Sequence, residues 1–306
     1  MENLAQRGQQ PSSVFKAPGF RLEYIAVDAM HSADLGVFQV ALGSLLWVEI
    51  AHKPWHRTQA DGVKWLNQEL KYYYQANRSK KLSEVFLTKS MIKSEDVGFP
   101  LLRAKAAQTR HLAEFGLYLA LLHEYGDASR PSFRFPDHGR LGGRSRERCR
   151  LQSEVFQGMV SFLDSLDRVP FCPGECKRAA YQFLQAFESL RRLWRTDLEN
   201  PERSLGLPWH MLPKGHLLQH LVEDKLQLWG SPKSFWCYSD ESFVGSIKNV
   251  AAGSRHPATL ESIVSKKCML VAGLDEYELA HGRSGFCGSP CLGRGRDLPM
   301  GWATIS

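Results

Sequence analysis

The chain has 306 residues, of which 43% are apolar and 23% are charged. This length suffices for one large domain or two ordinary ones, and these proportions exclude a wholly disordered chain. Lysine and arginine together number 39, aspartate and glutamate 32, so the net charge is +7. This excess is compatible with binding to nucleic acid or another polyanion, but proteins that bind neither can carry it too.

The sequence also bears on cellular location. The amino terminus, MENLAQRGQQPSS, is polar and has no apolar signal-peptide core, so we expect an intracellular protein. The longest apolar run, from Gly36 to Ala51, is interrupted by Gln39 and Glu49 and is shorter than the roughly 20 residues of a spanning helix. We therefore expect no membrane crossing. Seven cysteines, an odd number, favour reduced thiols over a disulfide framework.

In chain order, the first predicted elements are an arm, a strand and two helices. Residues 1–20 have the composition of a frayed arm, and residues 21–27, RLEYIAV, favour a β-strand that ends at Asp28. Apolar residues nearly encircle a predicted helix over about 35–50, which places that helix in the middle of a domain. A second helix is predicted over about 59–77.

Helical spacing of apolar residues dominates the rest of the chain. It predicts helices over about the following ranges: 103–125, 151–167, 175–198, 213–226, 240–252 and 257–274. Residues 126–150 are rich in Gly, Pro and Arg and are interpreted as an exposed loop. Beyond residue 281, Gly, Pro and Arg recur without any pattern, which predicts disorder. The prediction is a mainly α-helical chain with a single strand.

Two local clusters each have a functional and a structural interpretation. The segment 134–150 holds six arginines against Asp137 and Glu147, which favours either phosphate contacts or, as the more common case, a solvated loop. His216 and His220 share a helix face, as two zinc ligands would, but packed or hydrogen-bonded histidines are the favoured interpretation. The sequence has no Gly-rich phosphate loop, nucleophile elbow or H-E-x-x-H motif, so no small-molecule substrate is evident.

Two separated segments resemble parts of one protein family. Residues 28–47, DAMHSADLGVFQVALGSLLW, resemble the D-x-M-H…G-V segment of transposases related to the plant CACTA (Tnp2-like) elements. Residues 207–252 resemble the downstream block of these proteins, with its associated domain of unknown function. That block reads approximately P-K-x-H-x-L-x-H-L, then G-P, then W-x-Y-x-x-E and a basic helical tail. It is matched by Pro213, Lys214, His216, Leu218, His220, Leu221, Gly230, Pro232, Trp236, Tyr238, Glu241 and Lys248.

The resemblance implies an RNase H-like fold in which three carboxylates, Asp, Asp and Glu, hold two Mg²⁺ ions about 4 Å apart. Carried over residue by residue, Asp28 matches the second Asp at a strand end, and Glu241 matches the Glu at a helix start. The first Asp is absent, because only 27 residues precede Asp28, too few for the strands that carry it. No cofactor is expected, and Mg²⁺ would bind only if this carboxylate site were intact.

These carboxylates also have structural interpretations. Asp28 can cap a turn after its strand, as Asp often does. Glu241 near a helix N-terminus is favoured by the helix dipole without any metal. Asp240 beside it is both a plausible N-cap and a rival ligand. His31 can orient a carboxylate or pack, and packing is the favoured interpretation.

The resemblance divides the chain into the arm 1–20, a partial RNase H-like segment at 21–51, a helical insertion at 52–206, a transposase-like helical segment at 207–280 and the tail 281–306. The expected fold is mainly α, a helical domain with a remnant of an RNase H-like α/β core that lacks its first strands. The residues expected to contact DNA are Arg140, Arg144, Arg146, Arg148 and Lys248.

The expected function is that of a transposase-derived protein, truncated and catalytically inactive, with non-specific DNA binding. A nuclear location is implied by the resemblance only. Two alternatives stay open. One is a metal-dependent DNA strand-transfer or nuclease subunit that needs its missing N-terminal strands, with Asp28 and Glu241 as catalytic residues and Mg²⁺ ligands. The other is a mobile-element remnant with no selected function.

Overall fold

The computed structural model describes residues 21, 25–51, 58–77, 86–93, 98–125, 143–196, 208–238, 241, 244, 245 and 248. Within these residues every regular element is helical and no strand occurs. The expected mainly α-helical class is therefore confirmed for this part of the chain. The chain divides into two compact units, Met1–Trp236 and Cys237–Ser306. In the second unit, the described residues 238, 241, 244, 245 and 248 are helical.

Among the described residues of the first unit, the first regular element is a π-helical segment that leads directly into an α-helix. In chain order the described elements are the π-helical segment Met30–Val37, α1 (Phe38–Ala51), α2 (Gln59–Ala76), α3 (Lys89–Ile92), α4 (Ala106–Tyr125), α5 (Gly143–Asp167), α6 (Pro173–Thr196), α7 (Pro213–His220), a second π-helical segment Leu221–Lys225, α8 (Leu226–Trp229) and a 3₁₀ turn, Pro232–Ser234. The predicted helices at about 59–77, 103–125 and 175–198 are confirmed as α2, α4 and α6, with bounds that differ by three residues or fewer.

The strand predicted over 21–27 is wrong for the residues of that segment that the structure describes. Residues 21 and 25–27 are irregular, and Asp28 precedes a helix instead of ending a strand. The Ser32 N–H donates to the Asp28 carbonyl at 3.1 Å, which closes the first helical turn. A strand needs a neighbouring strand to satisfy its backbone groups, and the described part of the chain has none.

The loop predicted over 126–150 is wrong for residues 143–150, which form the first two turns of α5. The apolar pattern starts only at Leu151, so it could not locate this start. Arg150 donates to Glu147 at 2.7 Å and also pairs with Glu154. Ion pairs three and four residues apart stabilise these first turns, which precede the apolar face of the helix.

The centre of the first unit is α1, as its all-round apolar sequence predicts. Phe38 packs edge-on against Phe162 and Phe183, with ring centroids 5.9 and 5.1 Å apart. The stretch Met30–Ala51 is 22 residues long and, by length and composition alone, apolar enough to cross a membrane. It is longer than the apolar run on which the membrane prediction rested. However, 94% of its most apolar window is buried inside the protein, as expected for a core helix.

Pairs of contacts fix the relative directions of the helices. Tyr73 of α2 donates a hydrogen bond to Glu114 of α4. One turn earlier in α2, Glu69 accepts a hydrogen bond from Tyr118, which lies one turn later in α4, so the two helices are antiparallel. By the same reasoning α5 and α6 are antiparallel, because Gly158 packs on Phe183 and Arg148 lies over Trp194. The α5–α6 hairpin is the most extensive helix pair in the described residues.

Helices α1 and α4, in contrast, run parallel. Leu42 of α1 approaches Gly116 of α4. Two turns further along both helices, Glu49 of α1 meets His123 of α4. A Cβ on Gly116 would lie 2.5 Å from the Phe156 ring, so this glycine permits the close approach of α5. The parallel arrangement places the carboxyl ends of α1 and α4 side by side, which determines where the buried pair described below can form.

Candidate functional site

Asp28 stands immediately before the first helical segment, where its carboxylate caps the helix. The carboxylate accepts hydrogen bonds from the N–H groups of Met30 at 3.3 Å and His31 at 2.9 Å. Such bonds satisfy N–H groups that have no partner inside the helix. The His31 ring also reaches this carboxylate, with Nδ1 and Oδ2 2.5 Å apart, and its side chain is 46% exposed. His31 therefore orients a carboxylate at the surface instead of packing in the core.

A break in the helix at Leu35 and Gly36 is covered by Lys214 of α7. The dihedral angles of Leu35 (φ −95°, ψ 15°) and Gly36 (φ −125°, ψ −112°) are not helical. The Lys214 Nζ donates a hydrogen bond to the Leu35 carbonyl at 2.7 Å. A Cβ on Gly36 would lie 2.9 Å from the His31 carbonyl and 3.0 Å from the Lys214 side chain. Glycine at this position therefore leaves room for the His31 carbonyl and for the close approach of Lys214.

This contact joins the two segments that carry the family resemblance. Lys214 and Leu35 are 179 positions apart in the chain. Next to Lys214, Gly215 packs on Val37, because a Cβ at Gly215 would lie 3.5 Å from the Val37 Cγ1. The sequence gives no indication of this contact, since neither segment has a periodicity that points to the other.

Glu241 and Lys248 belong to the second unit, whereas Asp28 belongs to the first. Both are exposed and helical, and the Glu241 N–H donates to the Cys237 carbonyl at 2.9 Å. These positions agree with a helix in this region. The prediction that the carboxylates of Asp28 and Glu241 face each other stays a prediction. Asp240 lies outside the described residues.

The arginines expected to contact DNA lie at the start of α5. Arg144 is in its first turn, with Arg146 and Arg148 following, and Arg140 lies outside the described residues. The Arg148 guanidinium lies 4.5 Å from the centroid of the Trp194 ring of α6. Because this stacking joins the start of α5 to the end of α6, basic residues of both helices share one end of the hairpin.

The end of α6 adds further arginines to the same surface. Arg191 and Arg192 donate to Glu188 at 2.6 and 2.8 Å. The hydrogen bond from Arg191, followed by that from Arg192, lowers the pKa of Glu188 to about 2 despite its partial burial. We term this surface the arginine end and define it by the side chains of Arg146, Arg148, Arg150, Arg191, Arg192 and Arg195. Three glutamates pair within it, namely Glu147, Glu154 and Glu188. Glu124 of α4 also attracts Arg150, so six positive charges meet four negative ones.

An open groove of about 560 Å³ extends from the arginine end between α5 and α6. It is lined by Arg150, Leu151, Glu154, Arg178, Tyr181, Gln182, Gln185, Ala186 and Ser189. Arg178 is exposed, and within the described ranges it has no carboxylate partner. The Tyr181 hydroxyl is held by Glu223. Guanidinium and amide groups of this kind bind phosphate oxygens, so the groove continues the same polar surface.

The histidines of α7 form a chain of hydrogen bonds with a carboxylate of the following π-helical segment. The Nε2 atoms of His216 and His220 are 3.0 Å apart. The His220 Nδ1 lies 2.9 Å from an Asp224 carboxylate oxygen. The prediction of hydrogen-bonded histidines is therefore confirmed. The part played by Asp224 was missed, although its spacing of four residues from His220 was visible in the sequence.

Buried polar pairs are the second feature that sequence reasoning missed. His123 Nε2 lies 2.8 Å from Glu49 Oε1, and the two side chains are only 2% and 0% exposed. Tyr73 donates to Glu114 at 3.0 Å. Burial, then the hydrogen bond to Glu114, raises the pKa of Tyr73. The available signal was Glu49 itself, a charged residue within an otherwise apolar run, because such a residue needs a buried partner.

In comparisons with known proteins, no family model, curated protein or solved structure matches the chain. The resemblance therefore depends on the two segments 28–47 and 207–252. The contact between Lys214 and Leu35 connects them.

Proposed function

We propose that this chain derives from a CACTA-type (Tnp2-like) transposase and binds DNA through its phosphates without cutting it. The packing of Lys214 on Leu35 and Gly36 supports this descent, since segments of one ancestral core are expected to stay in contact. In this proposal the segment after Asp28 is a remnant of an RNase H-like core, and residues 52–206 are its helical insertion.

The arginine end is the observation that carries the DNA-binding proposal. Guanidinium groups match phosphate geometry and stay charged at every physiological pH. Arg146 and Arg195 are exposed and have no carboxylate partner among the residues that the structure describes. They can therefore neutralise phosphates and release counterions, which gives affinity that depends on salt. Phosphate contacts do not read bases, so the binding is independent of sequence.

The contacts of Asp28 support binding without metal-dependent cleavage. Each of its carboxylate oxygens accepts a backbone N–H, and one of them also meets the imidazole of His31. Mg²⁺ prefers hard oxygen ligands, whereas imidazole suits other metals. This set of groups fits a helix cap better than a Mg²⁺ site. We therefore assign Asp28 to helix capping.

The test titrates the full chain with labelled duplexes of two unrelated sequences, at several salt concentrations, with Mg²⁺ and with chelator. If about four phosphate contacts form, log affinity falls with log salt with a slope near −3.6. We expect the same slope for both duplexes and no effect of chelator. Glu241→Gln should leave binding unchanged or make it slightly tighter, because one negative charge is removed.

Three outcomes would contradict this proposal. Strand cleavage that requires Mg²⁺ and disappears in Glu241→Gln would restore the metal-dependent strand-transfer or nuclease function. No DNA binding even at low salt would favour a mobile-element remnant. Tight binding to only one of the two duplexes would contradict the phosphate-only mode of recognition.

A further inference from the structure

We propose that His216 and His220 form a binding site for a divalent transition-metal ion, with Asp224 holding His220 in the ligating orientation. The three residues lie four apart on one face of the helical stretch that runs from α7 into Leu221–Lys225. His220 and Asp224 have side chains that are 44% and 54% exposed, so an ion can reach the site from solvent. This inference is independent of the DNA-binding proposal and goes beyond it.

The distance between the two imidazoles fits shared ligation of one ion. Nitrogen ligands at about 2.0–2.1 Å from a metal lie roughly 2.9–3.4 Å apart, for bond angles between roughly 90° and the tetrahedral value. The Nε2 atoms of His216 and His220 are 3.0 Å apart, within this range. An ion can therefore take up both nitrogens without any change in the path of the helix backbone.

Asp224 determines which nitrogen of His220 is available to the ion. Its carboxylate lies 2.9 Å from the His220 Nδ1, and an ionised carboxylate can only accept a hydrogen bond. In the neutral ring the Nδ1 therefore carries the hydrogen, and the Nε2 carries the lone pair that faces His216. Carboxylate–histidine pairs of this kind fix the tautomer and ring orientation of metal-binding histidines.

The hydrogen bond between the rings shows what must change when the ion binds. Because the His220 Nε2 is an acceptor, the His216 Nε2 must donate to it in the metal-free protein. On binding, the hydrogen of the His216 ring shifts from Nε2 to Nδ1, and the Nε2 lone pair becomes a ligand. No oxidation or reduction is involved, and water completes the coordination of the ion.

The chemistry of the donors defines the class of ion. Neutral imidazole suits Zn²⁺, Ni²⁺ and Cu²⁺, whereas Mg²⁺ and Ca²⁺ prefer oxygen ligands. An ion that joins His216 to His220 bridges one turn of α7 and stabilises that turn. The same turn follows Lys214, which covers the break at Leu35 and Gly36. Occupancy of the site therefore stabilises α7 where it contacts the first helical segment.

The test uses the full chain, with Zn²⁺ alone as the probe, in calorimetric titrations of the wild type and four variants. His216→Ala and His220→Ala should each remove one equivalent of bound Zn²⁺. Asp224→Asn should keep that equivalent and weaken its affinity by about tenfold, the lower end of effects on supporting carboxylates. His111→Ala is the matched control, because His111 is an exposed histidine on α4, and it should change neither quantity.

Nitrogen-15 spectra of the histidine rings add a measurement that does not depend on any substitution. Saturating Zn²⁺ should shift the Nε2 resonances of His216 and His220 and leave the His220 Nδ1 protonated. The proposal is overturned if His216→Ala and His220→Ala bind Zn²⁺ as the wild type does. It is also overturned if His111→Ala loses as much binding, or if the Nε2 resonances do not shift. Circular dichroism of the metal-free variants checks that each variant is folded. If a variant is unfolded, the nitrogen-15 spectra of the wild type decide whether the proposal holds.

Discussion

Two carboxylate–imidazole pairs of the same chemistry lie in opposite environments. Glu49 and His123 meet at 2.8 Å between α1 and α4, with side chains that are 0% and 2% exposed. Asp28 and His31 meet at 2.5 Å before the first helical segment, where His31 is 46% exposed. The distances are similar, so burial decides what each pair contributes. Water screens the surface pair, whereas loss of one partner in the interior leaves a polar group that water cannot reach.

Neither carboxylate–imidazole pair indicates a function of the protein. The interior pair joins two core helices, and the surface pair caps one helix, so both have a structural role that the geometry explains. The arginine end has no comparable structural explanation for Arg146 and Arg195, which are exposed. The proposed function therefore depends on surface charge and not on either carboxylate–imidazole pair.

The largest effect is expected where the interior pair is broken. His123→Leu leaves the Glu49 carboxylate buried without its imidazole partner and should lower the free energy of unfolding by about 3–5 kcal/mol. Urea unfolding measures this change. The control is the double variant Glu49→Leu/His123→Leu, which replaces the whole pair by apolar groups and should recover most of the loss. If the double variant were no more stable than His123→Leu, the two side chains would not depend on each other.

A smaller effect is expected at the surface pair, where capping and the ring contact can be separated. Asp28→Ala removes the acceptor for the N–H groups of Met30 and His31 and should cost about 1 kcal/mol. His31→Ala removes the ring contact only and should cost less, within the usual range of about 0–1 kcal/mol for exposed pairs. Thermal unfolding of both variants checks the order. If His31→Ala were the more damaging, the capping assignment of Asp28 would be wrong.

Several helices follow from the sequence because their apolar residues recur at helical spacing on one face. This holds for α2, α4 and α6, and the all-round apolar α1 was correctly placed at the centre. The start of α5 was missed because GRSRERCR has no apolar period and is held by pairs such as Arg150 with Glu147. The strand at 21–27 was predicted from β-branched and aromatic composition, which says nothing about whether a second strand exists to pair with it.

The candidate sites were harder to predict, because they depend on contacts between distant residues. The separation of 179 positions between Lys214 and Leu35 exceeds the reach of any local pattern. The arginine end combines the start of α5 with the end of α6, so only half of it was visible in the run that ends at Arg150. The partner of Glu49 could not be read from the sequence, since His123 becomes its neighbour only through the parallel packing of α1 and α4.

The smallest effect is expected at Glu188, which pairs with Arg191 and Arg192. Its exposure lies between that of the buried pair and that of the surface pair. The hydrogen bond from Arg191 lowers its pKa from 4.5 to about 2 in the folded chain. A carboxyl group with a lowered folded pKa stabilises the protein above its unfolded pKa, and this contribution is lost as pH falls from 4.5 towards 2. Its side chain is 29% exposed, so screening keeps the effect below about 1 kcal/mol.

Glu188→Gln should therefore unfold at a temperature that falls less steeply than that of the wild type over this pH range. Differential scanning calorimetry at several pH values measures the difference. Parallel curves for the two proteins would contradict the assigned ion pair with Arg191 and Arg192.

The central claim, that the arginine end binds DNA phosphates, is tested most directly by removing matched charges and measuring the salt dependence of DNA affinity. Arg146→Ala/Arg195→Ala should reduce the steepness of the log affinity against log salt by about 1.8, because each lost phosphate contact contributes about 0.9. Lys64→Ala/Lys71→Ala removes the same charge from exposed positions on α2 and should leave the slope unchanged. Equal changes in the two double variants, or no change in the arginine variant, would contradict the account.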